Sequence, residues 1–204
     1  MNHSNQTLKI GITGGIGSGK TYVCQCLQKR GYKVYDCDAA AKRLIRNSLE
    51  IRQQLTALIG NDAYLSNPDE QPHVLNKAIV ARFLLESDKN AKAIDAIVHP
   101  AVFSDFKQSG MKWMESAILY ESGISKLVDR VVVVTAPDEI RIRRVMNRDG
   151  ITREKVLQWM QRQWPQKQLI ALSDYEIIND GITNIDAQLD LLLNKFDLAL
   201  HLPT

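Results

Sequence analysis

The sequence predicts a three-layer α/β protein, a five-stranded parallel sheet covered by helices on both faces. Three observations carry the prediction. Short apolar runs of strand length alternate with segments whose apolar residues recur at helical spacing, the pattern of parallel strands joined by crossover helices. Val131-Val132-Val133-Val134 has no polar alternation, as expected of a strand buried on both faces. A glycine-rich turn joins the first apolar run directly to the first helical segment.

In chain order, Leu8 to Thr13 reads as a short buried strand. Lys20 to Arg30 carries Val23, Cys26 and Leu27 at helical spacing, with Gly31 as its stop signal. Tyr32 to Cys37 is a second strand, Asp38 opens a helix through Ile45, and a turn-rich stretch runs from Gly60 to Pro72. Helical patterns at Asn76 to Glu86 and Asp88 to Gln108 follow, and so much helix between two strands predicts an insertion at the sheet edge. The residue before a proline is pushed away from α geometry, so His99-Pro100 marks a break there. Lys112 to Tyr120 and Arg130 to Thr135 are the next strands. Helices follow from Pro137 to about Asn147 and from Thr152 to about Arg162, then a strand at Asp174 to Ile178. Asp180-Gly181 is a turn, and a C-terminal helix gathers Ile182, Ile185, Leu189, Leu192, Leu193 and Phe196 on one face.

A chain of 204 residues, 45% apolar and 24% charged, suits one such core with attached subdomains. It holds neither a signal-peptide pattern nor a run near the roughly 18 apolar residues that a membrane span needs, so a cytoplasmic location and no membrane partner are expected. Cys24, Cys26 and Cys37 lack zinc-site spacing and read as structural thiols. The formal charge of +3 is too small to imply a nucleic-acid partner. Between residues 138 and 168, however, eight Lys/Arg stand against four acids, a local excess that suits a polyanionic ligand.

Gly14-Gly15-Ile16-Gly17-Ser18-Gly19-Lys20-Thr21 matches GxxxxGK[ST] between a strand and a helix, the context that makes it a phosphate-binding loop. Glycines let the backbone turn its N–H groups around phosphate oxygens, and the following helix adds its dipole. The expected fold is therefore the P-loop nucleoside-triphosphatase (NTPase) fold, which kinases share. The loop implies a nucleoside triphosphate, expected to be ATP held through Gly15, Ile16, Gly17, Ser18, Gly19, Lys20, Thr21 and Tyr22, with Lys20 neutralising the β and γ phosphates and the Thr21 hydroxyl ligating Mg²⁺. The core spans 7–36, 111–137 and 173–204, with a helical acceptor-binding insertion at 38–110 and a small basic helical lid at 138–168, all within one domain.

Asp36 and Asp38 close the second strand. Two apart in extended chain, they point the same way, at the carboxyl end of a parallel sheet where ligands bind. A kinase acting on a hydroxyl needs a proton acceptor, and one of the pair supplies it; Asp38 is also a natural helix N-cap. Glu121, ending the third strand, either binds the acceptor or holds a loop. Arg144 and Arg148 share a helix face, and either stabilise the transferring phosphoryl group or form a solvated basic face. His99 either contacts the acceptor or is satisfied locally.

Taken in order, Ile12-Thr13-Gly14-Gly15-Ile16-Gly17-Ser18-Gly19-Lys20, Val34-Tyr35-Asp36-Cys37-Asp38, Ile97-Val98-His99-Pro100, Ala117-Ile118-Leu119-Tyr120-Glu121, Arg144 with Arg148, and Ser173 to Asn179 resemble the dephospho-CoA kinase family, over roughly Ile10 to Leu200. Alanine at 117 replaces the family's proline, Leu75-Asn76-Lys77 stands where it usually has a Leu-Asp-Arg-like helix opening, and Arg141 stands where glutamine is common. The resemblance implies transfer of the ATP γ-phosphoryl to the ribose 3′-hydroxyl of dephospho-CoA, with Asp38 as base beside Lys20 and Arg144. It implies Arg148 and Asn179 on ATP, the latter at adenine, and Thr13, Asp36, Asp38, His99 and Glu121 on the acceptor. The expected partners are these small molecules, and the expected assembly is a monomer or weak homo-oligomer. A kinase of another acceptor (a nucleoside, a nucleotide or shikimate) shares this fold and loop. A regulatory ATPase is disfavoured because the strand at 130–135 ends in Thr135-Ala136-Pro137, without a carboxylate.

Overall fold

A computed structural model describes residues 8–65 and 74–196, apart from the side chain of Asp88. The elements are β1 (Ile10–Thr13), α1 (Lys20–Lys29), β2 (Val34–Asp36), α2 (Cys37–Asn47), α3 (Leu49–Ile59), α4 (Lys77–Glu86), α5 (Asp88–Ser109), β3 (Trp113–Glu115), β4 (Arg130–Thr135), α6 (Asp138–Asp149), α7 (Arg153–Gln161), α8 (Gln166–Leu172), β5 (Tyr175–Ile178) and α9 (Ile185–Lys195). The strands form the expected five-stranded sheet in the order β2-β3-β1-β4-β5. Pairing is parallel, with Ile10 opposite both Trp113 and Arg130, and Val132 opposite Tyr175. Part of the turn-rich stretch expected at Gly60 to Pro72 lies outside the described residues. No helix among the described residues is long and apolar enough to cross a membrane.

The chain divides into two compact units, Met1–Val34 with Met111–Thr204, and Tyr35–Gly110. In the first, β1 and β4 are apolar on both faces and lie at the centre of the sheet, so Ile10, Ile12, Val132 and Val134 are fully buried. Val23 and Leu27 of α1 and Leu189, Leu192 and Leu193 of α9 pack against them. The C-terminal helix starts later than its apolar pattern suggests: Asn184 caps α9 by accepting from the Ala187 N–H, and Ile182 lies before the cap, 92% exposed. Between α7 and β5 an additional helix, α8, contributes buried Leu169. Cys24, Cys26 and Cys37 are buried thiols.

Two sequence expectations fail here for identifiable reasons. The third strand is only three residues long; Ala117 to Ser122 form a turn, because the strand pairing with β1 ends once the Ser116 N–H has bonded the Ile12 carbonyl. Glu121 therefore lies on an exposed turn and not at a strand end. In the second unit α5 runs unbroken through Pro100. Val98, Val102 and Phe106 form one buried stripe at i, i+4 and i+8, and its burial on both sides of the proline outweighs the lost hydrogen bond.

Candidate functional site

The first unit carries the phosphate loop where β1 gives way to α1. Gly19 opens α1 in the left-handed region at φ 91°, with no side chain capping the helix. A side chain there would collide with the Asn179 amide as well as strain the backbone. Lys20 Nζ donates to the Gly14 carbonyl at 2.8 Å, which lays its ammonium back across the loop. The hydroxyls of Thr13 and Ser18 are buried without a hydrogen-bond partner among the described residues. An uncapped helix start, a lysine folded over glycine backbone and orphaned hydroxyls suit a phosphate chain.

At the position expected to ligate Mg²⁺, Thr21 is exposed and its Oγ1 donates to Glu115 Oε1 at 3.4 Å. Glu115 is the last residue of β3, the strand beside β1. Two hard oxygens in contact fit Mg²⁺, which takes few protein ligands and keeps waters or phosphate oxygens for the rest. Glu115 was not foreseen, because the apolar Ile118, Leu119 and Tyr120 drew the expected strand onward to Glu121. β4 does end without a carboxylate, at Thr135, but Glu115 brings a strand-end carboxylate beside the phosphate loop from β3, so the ending of β4 is no argument against a hydrolase.

Arg144 projects from α6 to the same loop. Its Nη1 is 3.3 Å from the Ser18 carbonyl and 3.4 Å from that of Gly17, and its Nη2 donates to Asn179 Oδ1 at 3.3 Å. Asn179 follows β5, its N–H bonded to Thr135 O at 2.8 Å, and its Nδ2 donates to Ser18 O at 2.9 Å. Both ends of its buried amide are thus committed to the loop and to Arg144. Arg148, one turn along, instead chelates Asp149 at 2.7 and 2.8 Å and is exposed. The shared helix face does not bring the two arginines to one place.

Gly19, Tyr22, Arg144, Asn179, Gly181 and residues 183–186 line a cleft of about 590 Å³ next to the loop. Asp180 shapes its rim: Oδ1 accepts from the N–H groups of Thr183 at 2.7 Å and Ile182 at 2.9 Å. These bonds hold its carboxyl below the usual range.

In the second unit, Asp36 and Asp38 do not share a strand face. The strand stops at Asp36, whose Oδ1 caps α2 by accepting from the Ala39 N–H at 2.9 Å, and Asp38 already lies in the first helical turn, exposed. A good cap followed by three alanines starts the helix before the second carboxylate, so the cap is Asp36 and the period-two argument lapses. His99, half-buried on α5, sits 3.5 Å from Asp95 and stacks on Phe103 with 6.1 Å between ring centres.

A parallel sheet in the order 2-3-1-4-5, with a glycine loop, lysine and hydroxyl at the end of its central strand and arginine reaching the loop, defines a P-loop phosphotransferase. A family model described as dephospho-CoA kinase matches residues 8–184. A dephospho-CoA kinase of Porphyromonas gingivalis is 39% identical over 179 residues, covering 84% of this chain and 86% of that protein. One of Bacteroides fragilis is 37% identical over 181 residues, 85% of each. A solved structure from Thermus thermophilus, TT1252, superposes with a TM-score of 0.77 at 30% identity, covering 92% of this chain and 97% of that one. The chain belongs to the dephospho-CoA kinase family.

Proposed function

We propose that the protein transfers the γ-phosphoryl group of ATP to the ribose 3′-hydroxyl of dephospho-CoA, giving coenzyme A and ADP. The observation that carries this reading is the family match across 8–184, which takes in both the phosphate loop and the Asp36–Asp38 segment. The loop amides and Lys20 bind the triphosphate. Arg144, within reach of the Gly17 and Ser18 carbonyls, turns to the phosphoryl group as charge builds on it. Thr21 and Glu115 are the residues that would hold Mg²⁺, which when bound neutralises phosphate charge. The cleft lined by Tyr22, Asn179, Gly181 and 183–186 takes adenine.

On the acceptor side Asp38 is the base that takes the ribose proton, a role favoured by its exposure and by Asp36 having taken over the capping. Asp36, His99, Glu121 and Thr13 complete the acceptor set, with residues 38–110 as the acceptor-binding insertion and 138–168 as the lid that excludes water. The enzyme works in the cytoplasm on small molecules, as a monomer or weak homo-oligomer, without a membrane or nucleic-acid partner. ADP release from Mg-ATP with dephospho-CoA, AMP, uridine, shikimate or no acceptor tests the reading. Preference for dephospho-CoA supports it; equal release without acceptor makes the protein an ATPase, and preference for another alcohol moves the assignment.

A further inference from the structure

The apex of the phosphate loop is gripped from one side by residues that the reaction scheme above does not use. The Ile16 N–H donates to Gln163 Oε1 at 2.7 Å, and the Ile16 carbonyl accepts from Arg141 Nε at 3.0 Å. The Ile16 side chain packs into the small cluster of Ile142, Val145 and Val156 between α6 and α7. One loop residue thus commits both backbone polar groups and its side chain to the 138–163 segment.

Arg141 is built for this position. It is 5% exposed, its Nη1 is held by Asp138 Oδ1 at 2.9 Å, and burial pulls its pKa down against the opposing effect of Asp138. A side chain on Gly15 would overlap the Arg141 guanidinium, and one on Gly17 would lie 2.5 Å from the Arg141 carbonyl oxygen. These two glycines are therefore demanded by the close approach of α6 as well as by any ligand.

The direction of the loop amides follows. In a trans peptide the carbonyl of one residue and the N–H of the next point in opposite directions. Arg141 on the Ile16 carbonyl therefore turns the Gly17 N–H away from α6, and Arg144 with Asn179 on the Ser18 carbonyl does the same for the Gly19 N–H. We propose that Arg141 and Gln163 are positioning residues for the nucleotide phosphates, fixing the Ile16 backbone so that the amides of the loop are aimed before nucleotide arrives. The inference rests on the nucleotide site proposed above. It also makes the basic segment an anchor of the loop at its 141 and 163 ends, and not a flap free along its whole length.

The test is ATP and ADP affinity by calorimetry for the whole protein and its variants, with melting temperature and amide hydrogen exchange across residues 14–19. Gln163→Leu and Arg141→Leu are expected to weaken both nucleotides by about tenfold, the scale of one buried hydrogen bond lost, with faster exchange in the loop and unchanged affinity for the acceptor. Arg141→Gln keeps an N–H donor at the position of Nε and retains affinity within about threefold. Should the leucine variants not fold, Gln163→Asn and Arg141→Asn decide, since each carries an amide but holds it one carbon short of the Ile16 backbone and is expected to weaken binding severalfold. Unchanged or tighter nucleotide binding in folded variants overturns the proposal; tighter binding would make Gln163 a competitor for the phosphates. A wild-type protein that binds neither nucleotide would instead overturn the reading of the site itself.

Discussion

Thr21 Oγ1 and Glu115 Oε1 meet at 3.4 Å, tying the first turn of α1 to the last residue of β3. A hydroxyl and a carboxylate so placed predict that Glu115 governs the metal requirement. Glu115→Gln is expected to raise the Mg²⁺ concentration for half-maximal rate by about tenfold or more, the usual cost of losing a residue that supports a metal site. Titration of Mn²⁺ by electron paramagnetic resonance, with ADP present, checks it without turnover. Unchanged metal affinity would leave Glu115 a structural partner of Thr21.

Arg144 is predicted to act on the rate more than on binding. Arg144→Ala lowers kcat by about 10²-fold, as expected of a charged donor acting on the transition state. Arg144→Lys recovers only part, because a point-like ammonium does not span the two carbonyls and the Asn179 amide that the two Nη atoms of the guanidinium reach. Steady-state kcat and KM for ATP measure the split; the exposed, Asp149-paired Arg148 changed to Ala should alter kcat by less than about threefold.

The neighbouring aspartates are predicted to fail in different ways. Asp36→Ala removes the cap of α2 and costs about 1 kcal/mol of stability. Asp38→Asn leaves the cap in place and lowers kcat by about 10²-fold or more while ATP affinity persists. Thermal melts and single-turnover rates on the two variants separate the roles. Near-normal turnover of Asp38→Asn would remove it as the base.

Tyr64 predicts an alkaline limb in stability. Burial pushes its phenol up to about 12 from 10.0, against the opposing charge of Arg52, and its hydroxyl donates to the Ile45 carbonyl at 3.0 Å. Because the folded pKa is raised, the contribution is present in full below about pH 10 and is lost as pH rises towards 12. Tyr64→Phe should be less stable than wild type near pH 8, with the gap closing above about pH 10 in melts across that range.

The parts of this molecule written in local pattern were legible in the sequence. The phosphate loop needs contiguous residues in one order, and the Val131–Val134 run is apolar without alternation because β4 has neighbours on both sides and layers on both faces. What depended on long-range geometry was not. Pro100 announces a break that the buried stripe of Val98, Val102 and Phe106 overrides. Asp36 and Asp38 look like a strand pair until the cap starts the helix between them. Glu115, Arg141 and Gln163 carry no motif of their own, and only the fold brings them to the loop from 94, 125 and 147 residues away.

The most direct measurement of what this protein does is the identity of its product. Incubated with Mg-ATP and dephospho-CoA, it should yield ADP and, in equal amount, a compound one phosphate heavier than the acceptor, co-migrating with coenzyme A and showing a new ribose 3′-phosphate resonance by ³¹P NMR. Dephospho-CoA recovered unchanged while ADP accumulates, or a phosphate found at another hydroxyl, would contradict the account.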